Sequence, residues 1–228
     1  MQHLHGNGLG RWAILDPRNR DYEAPVRKLA SKKDVRWDAD DQPVLDQGNV
    51  GGCTGFTTAD ILNCPLFAQS RFTGLRRRGY LGNGEALQFY ADATRLDGFK
   101  GVYPPNDTGS TGTAAAKAAQ RRGYWGGYAH TFTFEAFLAN LQRQPLMIGT
   151  LWTEGMSDPD SKGVIRPAGE LVGGHEWGAM RIDWARERIG ALNHWTTQWG
   201  INGRFWLSFS DMEWLLGQQG DVVVPHPS

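Results

Sequence analysis

"DQGNVGGCTGF", residues 46–56, contains one of the only two cysteines in this chain of 228 residues. Two glycines precede Cys53, and the periodic run CTGFTTADILN predicts a helix over residues 53–63 that begins at this cysteine. A thiol at a helix N-terminus lies at the positive end of the helix dipole, beside unpaired N–H groups, and both favour the thiolate. The position suits a nucleophile, although a cysteine at a helix start is often an inert apolar residue when no base accompanies it.

The second cysteine, Cys64, lies about three turns along the same predicted helix. This separation is too long for a disulfide with Cys53, so we expect two free thiols, as in a reducing compartment, with Cys64 as a buried apolar residue. The chain has no HExxH and no CxxC pair, and the GNGLG run at 6–10 neither follows a strand nor opens a helix. We therefore expect no metal and no cofactor.

Composition narrows the function classes. The chain is 40% hydrophobic with 10 tryptophans, and 24 basic residues balance 24 acidic ones, which predicts a globular protein with no global field for nucleic acid or an anionic membrane. The RRR run at 76–78 is the only local basic candidate, and we interpret it as a solvated surface. No apolar stretch approaches the roughly 20 residues that span a bilayer, and the N-terminus lacks the apolar region of a secretory signal. We expect a soluble cytoplasmic protein.

Hydrophobic periodicity divides the chain into two parts. Helical patterns cover 53–63, 84–97, 111–122 and 133–143. After Pro145 come short apolar or alternating runs separated by turn residues, namely LMIGTLW, HEWGAMRIDW, RIGALNHW, GRFWLSF and DVVVP. Helices followed by strands predict an α+β protein with a cleft between a helical layer and an antiparallel sheet.

Three motifs then appear in a fixed order. Gln47 lies six positions before Cys53, His175 opens the strand-like run GGHEWGAMRID after two glycines, and Asn193 heads NHWTTQWGINGRFW. Together they resemble the papain-like cysteine peptidases, and the resemblance extends from about Val35 to about Leu215. It implies a two-lobe fold with a mainly helical lobe (35–126), a mainly β, barrel-like lobe (127–228), an active site between them, and an N-terminal extension (1–34).

The resemblance also implies a role for each motif residue. Cys53 would be the nucleophile, His175 its ion-pair partner and acid–base, and Asn193 the group that orients the imidazole. Gln47 would donate a side-chain N–H to the oxyanion, and Trp195 would cover the bond between Asn193 and His175. His194 is the alternative base, but it points to the opposite side if its segment is extended.

Substrate-binding residues follow from the same resemblance. Gly109 and Ser110 are the candidates for an edge that pairs with an extended peptide, and Gly174 and Trp195 flank the catalytic groups.

The residue after the base, Glu176, would line the pocket for the second substrate residue before the scissile bond. A carboxylate there predicts a preference for basic side chains. The alternative is that Glu176 turns away and pairs with Arg181 or Arg204.

The chain also departs from the family pattern. Val50 and Thr54 stand where many members have a cysteine and a tryptophan, so the usual disulfides are missing, as in a bacterial- or phage-type member. The stretch before Val35 is shorter than the usual propeptide, which suggests an enzyme made without a zymogen or restrained by a protein inhibitor.

The sequence leaves three functions to compare. The first is a peptidase acting on peptides or proteins, and the others are a papain-fold binder with little turnover and a cell-wall amidase. The intact set of four catalytic residues favours the first, and the Asn193-x-Trp195 run speaks against the amidase.

Overall fold

The computed structural model describes residues 3–4, 7–14, 17–25, 29, 31–68 and 79–227. The basic run at 76–78 lies outside these residues. The described helices are α1 (Cys53–Asn63), α2 (Pro65–Ala68), α3 (Asn83–Ala93), α4 (Gly112–Arg121), α5 (Phe134–Leu141), α6 (Glu154–Ser157) and α7 (Phe209–Gly217). The described strands are β1 (His3–Leu4), β2 (Asn7–Gly8), β3 (Val35–Arg36), β4 (Trp125–Thr131), β5 (Leu146–Thr153), β6 (Leu171–Asp183), β7 (Arg188–Leu192), β8 (Arg204–Ser208) and β9 (Asp221–Pro227).

Seven of these strands form one antiparallel sheet in the order β4-β9-β5-β6-β7-β8, with β3 also paired to β6. Strand β6 runs through the middle of the sheet, where His175 is paired with Thr150 and Glu176 with Gly149 of β5. Because side chains alternate along a strand, His175 and Glu176 project to opposite faces of β6. The two residues therefore serve two different parts of the site.

Helix α1 is the central helix of the other layer. All of its residues are buried, and it packs against α3, α4 and β6. A Cβ at Gly55 would lie 2.4 Å from the Ala86 carbonyl oxygen, so this glycine lets α1 and α3 approach closely. The N-cap residue of α1 is Gly52, which has no side chain. No N-cap side chain therefore covers the first turn of the helix at Cys53.

Two hydrophobic clusters stabilise the two layers. The cluster on the sheet side is built around Trp152, Trp177 and Phe205, and the cluster on the helix side around Phe56 and Phe89.

The predicted α+β class is confirmed, as is the predicted helix over 53–63. Strand β4 and helix α7 were not predicted, because WGGYAHT contains no alternating pattern and FSDMEWLLG follows a strand without a break.

Candidate active site

Cys53 is the first residue of α1 and its exposed fraction is 0%. The backbone N–H groups of Glu176 and Gly10 are near enough to its sulfur to favour the thiolate. Burial, followed by the nearby Glu176 carboxylate, raises the pKa of Cys53 to about 12, and these N–H groups and Arg11 offset only part of the effect. The expectation of an exposed, stabilised thiolate is therefore wrong for this conformation, in which Cys53 is a neutral thiol.

His175 is held by Asn193. Its Nε2 lies 2.9 Å from Asn193 Oδ1, which also accepts the backbone N–H of His194 at 2.9 Å. Because a carboxamide oxygen only accepts, Nε2 carries the proton and Nδ1 keeps its lone pair. Nδ1 has no hydrogen-bond partner among the described residues. Burial, with His194 as a further cause, lowers the pKa of His175 well below 6.5, so the expected ion pair with Cys53 is absent from this conformation.

Aromatic rings enclose the histidine. The ring centroids of Trp152 and Trp195 each lie 4.8 Å from that of His175. Trp195 is buried, and its Nε1 donates to Gln47 Oε1 at 3.2 Å. Gln47 Nε2 donates to the Val50 carbonyl at 2.7 Å, which engages one of its two N–H groups and leaves the other for a further acceptor.

His194 is engaged elsewhere. Its Nδ1 lies 3.2 Å from Asp60 Oδ2 of α1, and burial lowers the pKa of His194 to about 3. Burial raises the pKa of Asp60 well above its usual value, so burial opposes charge on both partners of this contact. Cys64 is fully buried, with its sulfur 3.4 Å from Met180 Sδ.

The cleft holds part of the chain itself, residues 7–14, which we call the N-terminal segment. Ser110 donates its N–H to the Gly10 carbonyl at 2.8 Å and accepts from the Trp12 N–H at 2.9 Å. Gly174 accepts from the Arg11 N–H at 3.1 Å. Gly109 is not part of this edge, because its N–H donates to Tyr90 Oη at 2.8 Å.

The N-terminal segment pairs with the edge of the cleft in the parallel direction. Arg11 pairs with Ser110 as a parallel bridge. The Gly10 carbonyl accepts from the Ser110 N–H, so this carbonyl is engaged at the edge of the cleft. The sequence did not predict that the chain's own N-terminal segment occupies the cleft.

The side chain of Arg11 fills a buried acidic pocket. It bonds Asp221, the first residue of β9, and lies 3.5 Å from Glu176 Oε2. Glu176 therefore does not turn away to Arg181 or Arg204, both of which bind Asp38 instead.

Two parts of the site were missed from the sequence, namely the N-terminal segment and Asp221. The glycines of GNGLG were the available signal for the segment, because Gly10 passes so close to Gly51 that no side chain fits. Within the described residues, no group of three or more His, Cys, Asp or Glu side chains could hold a metal ion, and no helix is long and apolar enough to cross a bilayer.

Comparison with known proteins identifies the fold. No protein-family model matches the sequence, and no curated protein matches it significantly. Among solved structures, xylellain, a cysteine protease from Xylella fastidiosa, superimposes with a TM-score of 0.74 at 15% identity, covering 100% of this chain and 99% of that one. Procathepsin L 3 from the Tenebrio molitor larval midgut gives 0.57 at 15% identity, with 97% and 76% covered. The ragweed cysteine protease Amb a 11, in its proform, gives 0.51 at 19% identity, with 90% and 69% covered. The chain has the papain-like fold.

Proposed function

We propose that this chain with the papain-like fold is a cysteine endopeptidase with Cys53 as nucleophile. The observation that carries the proposal is the bond between His175 Nε2 and Asn193 Oδ1, which leaves the Nδ1 lone pair unengaged and available as a proton acceptor for the thiol at the start of α1. We assign the peptidase domain to residues 35–228, with lobes at 35–126 and 127–228 and an extension at 1–34. Two free cysteines support a cytoplasmic location.

In the first half of the reaction, His175 Nδ1 takes the thiol proton as Cys53 Sγ forms a bond to the substrate carbonyl carbon. The backbone N–H of Cys53 and the second N–H of Gln47 Nε2 donate to the oxyanion. The C–N bond then breaks, the imidazolium gives its proton to the leaving amine, and a thioester remains.

In the second half, water attacks the thioester. His175 takes the proton of that water, the carboxylic acid leaves, and Cys53 recovers its proton. Asn193 keeps the ring in one tautomer through both halves, and Trp195 shields the bond between them from water.

The N-terminal segment must leave the cleft before a substrate can enter. We expect its departure to admit water to Cys53 and His175, so that the same step frees the peptide-binding edge and allows a proton to pass from thiol to imidazole. This built-in restraint takes the place of the expected protein inhibitor.

The second candidate is a peptide-binding protein with little turnover, favoured by the neutral thiol and the occupied cleft. A quenched fluorescent peptide library separates the two candidate functions. Its hydrolysis is measured with Arg11→Ala and with Arg11→Ala/Cys53→Ala. We expect cleavage by the first variant only. Binding of peptides without cleavage by either variant would favour the second candidate.

A further inference from the structure

We infer that Asp221 and Glu176 form a specificity pocket for an arginine side chain of the substrate, and that Arg11 occupies this pocket as an internal substitute for that side chain. The inference rests on the proposed peptidase function and adds the class of peptide that the site accepts. We call the space between these two carboxylates the acidic pocket.

The contacts in the acidic pocket match a guanidinium. Asp221 Oδ1 accepts from Arg11 Nε at 3.0 Å and from Nη2 at 2.5 Å, and Nη2 also donates to the Gln219 carbonyl at 3.3 Å. Two neighbouring donors on one planar group are characteristic of arginine and absent from lysine. The pocket should therefore distinguish the two basic residues.

The charge of the pocket requires a cation. Asp221 and Glu176 are both buried, and neither Glu176 oxygen has a hydrogen-bond partner among the described residues. Burial, followed by Asp221, raises the pKa of Glu176 well above its usual value, and Arg11 offsets part of this effect. Removing the guanidinium therefore leaves two buried acidic groups without a counter-charge. A leucine in the same place would not compensate for them.

Two glycines give the pocket its room. A Cβ at Gly149 would lie 1.9 Å from Arg11 Nε, and a Cβ at Gly112 would lie 2.6 Å from Glu176 Oε1. Only glycine at these positions leaves space for both the guanidinium and the Glu176 carboxylate.

The register of the N-terminal segment shows which substrate residue would enter. Arg11 is the residue paired with Ser110, and its side chain turns into the pocket from that position. The N–H and carbonyl of Ser110 can pair with a parallel or an antiparallel peptide. They bond either the peptide residue opposite Ser110 or the two neighbours of that residue. The residue of a bound peptide that lies opposite Ser110 therefore meets Asp221 and Glu176.

The test compares kcat/KM for three otherwise identical fluorogenic peptides with Arg, Lys or Leu at the second residue before the scissile bond. The first enzyme is Arg11→Ala, whose acidic pocket is empty. Three double variants add to it Asp221→Asn, Glu176→Gln or, as a control on a surface carboxylate, Asp40→Asn. Arg11→Gln replaces Arg11→Ala if the latter does not fold. Binding of the three peptides to Arg11→Ala/Cys53→Ala, measured by fluorescence anisotropy, provides a readout that needs no turnover.

We expect arginine to exceed leucine by at least about tenfold, with lysine between them. We expect Asp221→Asn to remove most of that ratio, Glu176→Gln to reduce it, and Asp40→Asn to leave it unchanged. Equal use of arginine and leucine, or an unchanged ratio in Asp221→Asn, would overturn the inference. Arginine-selective binding without any hydrolysis would retain the pocket and reject the peptidase function, whereas unselective binding would reject the pocket.

Discussion

Arg11 Nη2 lies 2.5 Å from Asp221 Oδ1, which joins the N-terminal segment to the first residue of β9 across 210 positions of the chain. The same segment places Gly10 near the Cys53 sulfur. The acidic pocket and the nucleophile are thus covered by adjacent residues of one strand-like stretch. Any peptide that displaces Arg11 from Asp221 must also uncover Cys53.

Gly10→Ala should uncover the thiol without changing any residue that forms the acidic pocket. A Cβ at residue 10 would lie 1.8 Å from the Gly51 carbonyl oxygen, so the segment cannot keep its path. We expect the rate of Cys53 alkylation by iodoacetamide at neutral pH to rise at least about tenfold. Gly84→Ala is the control, because a Cβ there meets nothing within 4 Å. Equal rates in the two variants would show that the segment does not protect Cys53.

The buried thiol should make stability depend on alkaline pH. Because folding raises the pKa of Cys53 from 9.0 to about 12, the protonated thiol stabilises the fold fully below pH 9. This contribution is lost as the pH rises towards 12, by up to about 1.4 kcal/mol per pH unit. Urea unfolding of wild type and Cys53→Ala between pH 9 and pH 12 measures this loss. It is the difference between the two variants in the slope of the unfolding free energy against pH. Parallel pH profiles would mean that the thiol is not buried in solution.

Asn193 should act through the histidine. In the Arg11→Ala background we expect Asn193→Ala to lower kcat by about 10- to 100-fold, and Cys53→Ala to abolish turnover. The bond from Asn193 raises the pKa of His175, so its loss should also move the acidic limb of the kcat/KM profile to lower pH. A fall in kcat with an unmoved limb would point to a merely structural role for Asn193.

Asp38 should contribute to stability through its two arginines. Burial alone would raise the pKa of Asp38, but the bonds from Arg181 and Arg204 lower it below 3.8. Their contribution to the stability of the fold is therefore present above that pH and lost as the pH falls. We expect Asp38→Ala to lower the free energy of unfolding by about 2 to 4 kcal/mol at neutral pH. Asp40 is 91% exposed, and Asp40→Ala should cost less than about 1 kcal/mol. Similar losses in both variants would contradict this assignment.

The sequence allowed prediction of those parts of the site that depend on local order. Two glycines and a periodic run fixed the start of α1 at Cys53, because helix starts have local signals. His175 and Asn193 were paired from motif order, and their side chains meet at 2.9 Å.

The remaining parts of the site depend on contacts distant in sequence. Asp221 was visible only as the start of a strand-like run, because nothing near it in the sequence indicates that Arg11 is its partner. The acid–base state of the site was predicted wrongly for the same reason. The helix dipole at Cys53 is a local effect, whereas the burial that outweighs it arises only when the chain folds.

If Cys53 is a peptidase nucleophile covered by the N-terminal segment, its reactivity should depend on that segment. Labelling with an epoxide thiol inhibitor, followed by peptide mapping, tests it in wild type and in Arg11→Ala. We predict rapid modification of Cys53 in Arg11→Ala, slow modification in wild type, and almost none of Cys64 in either. Equal modification of the two cysteines, or no modification of Cys53 in Arg11→Ala, would contradict it.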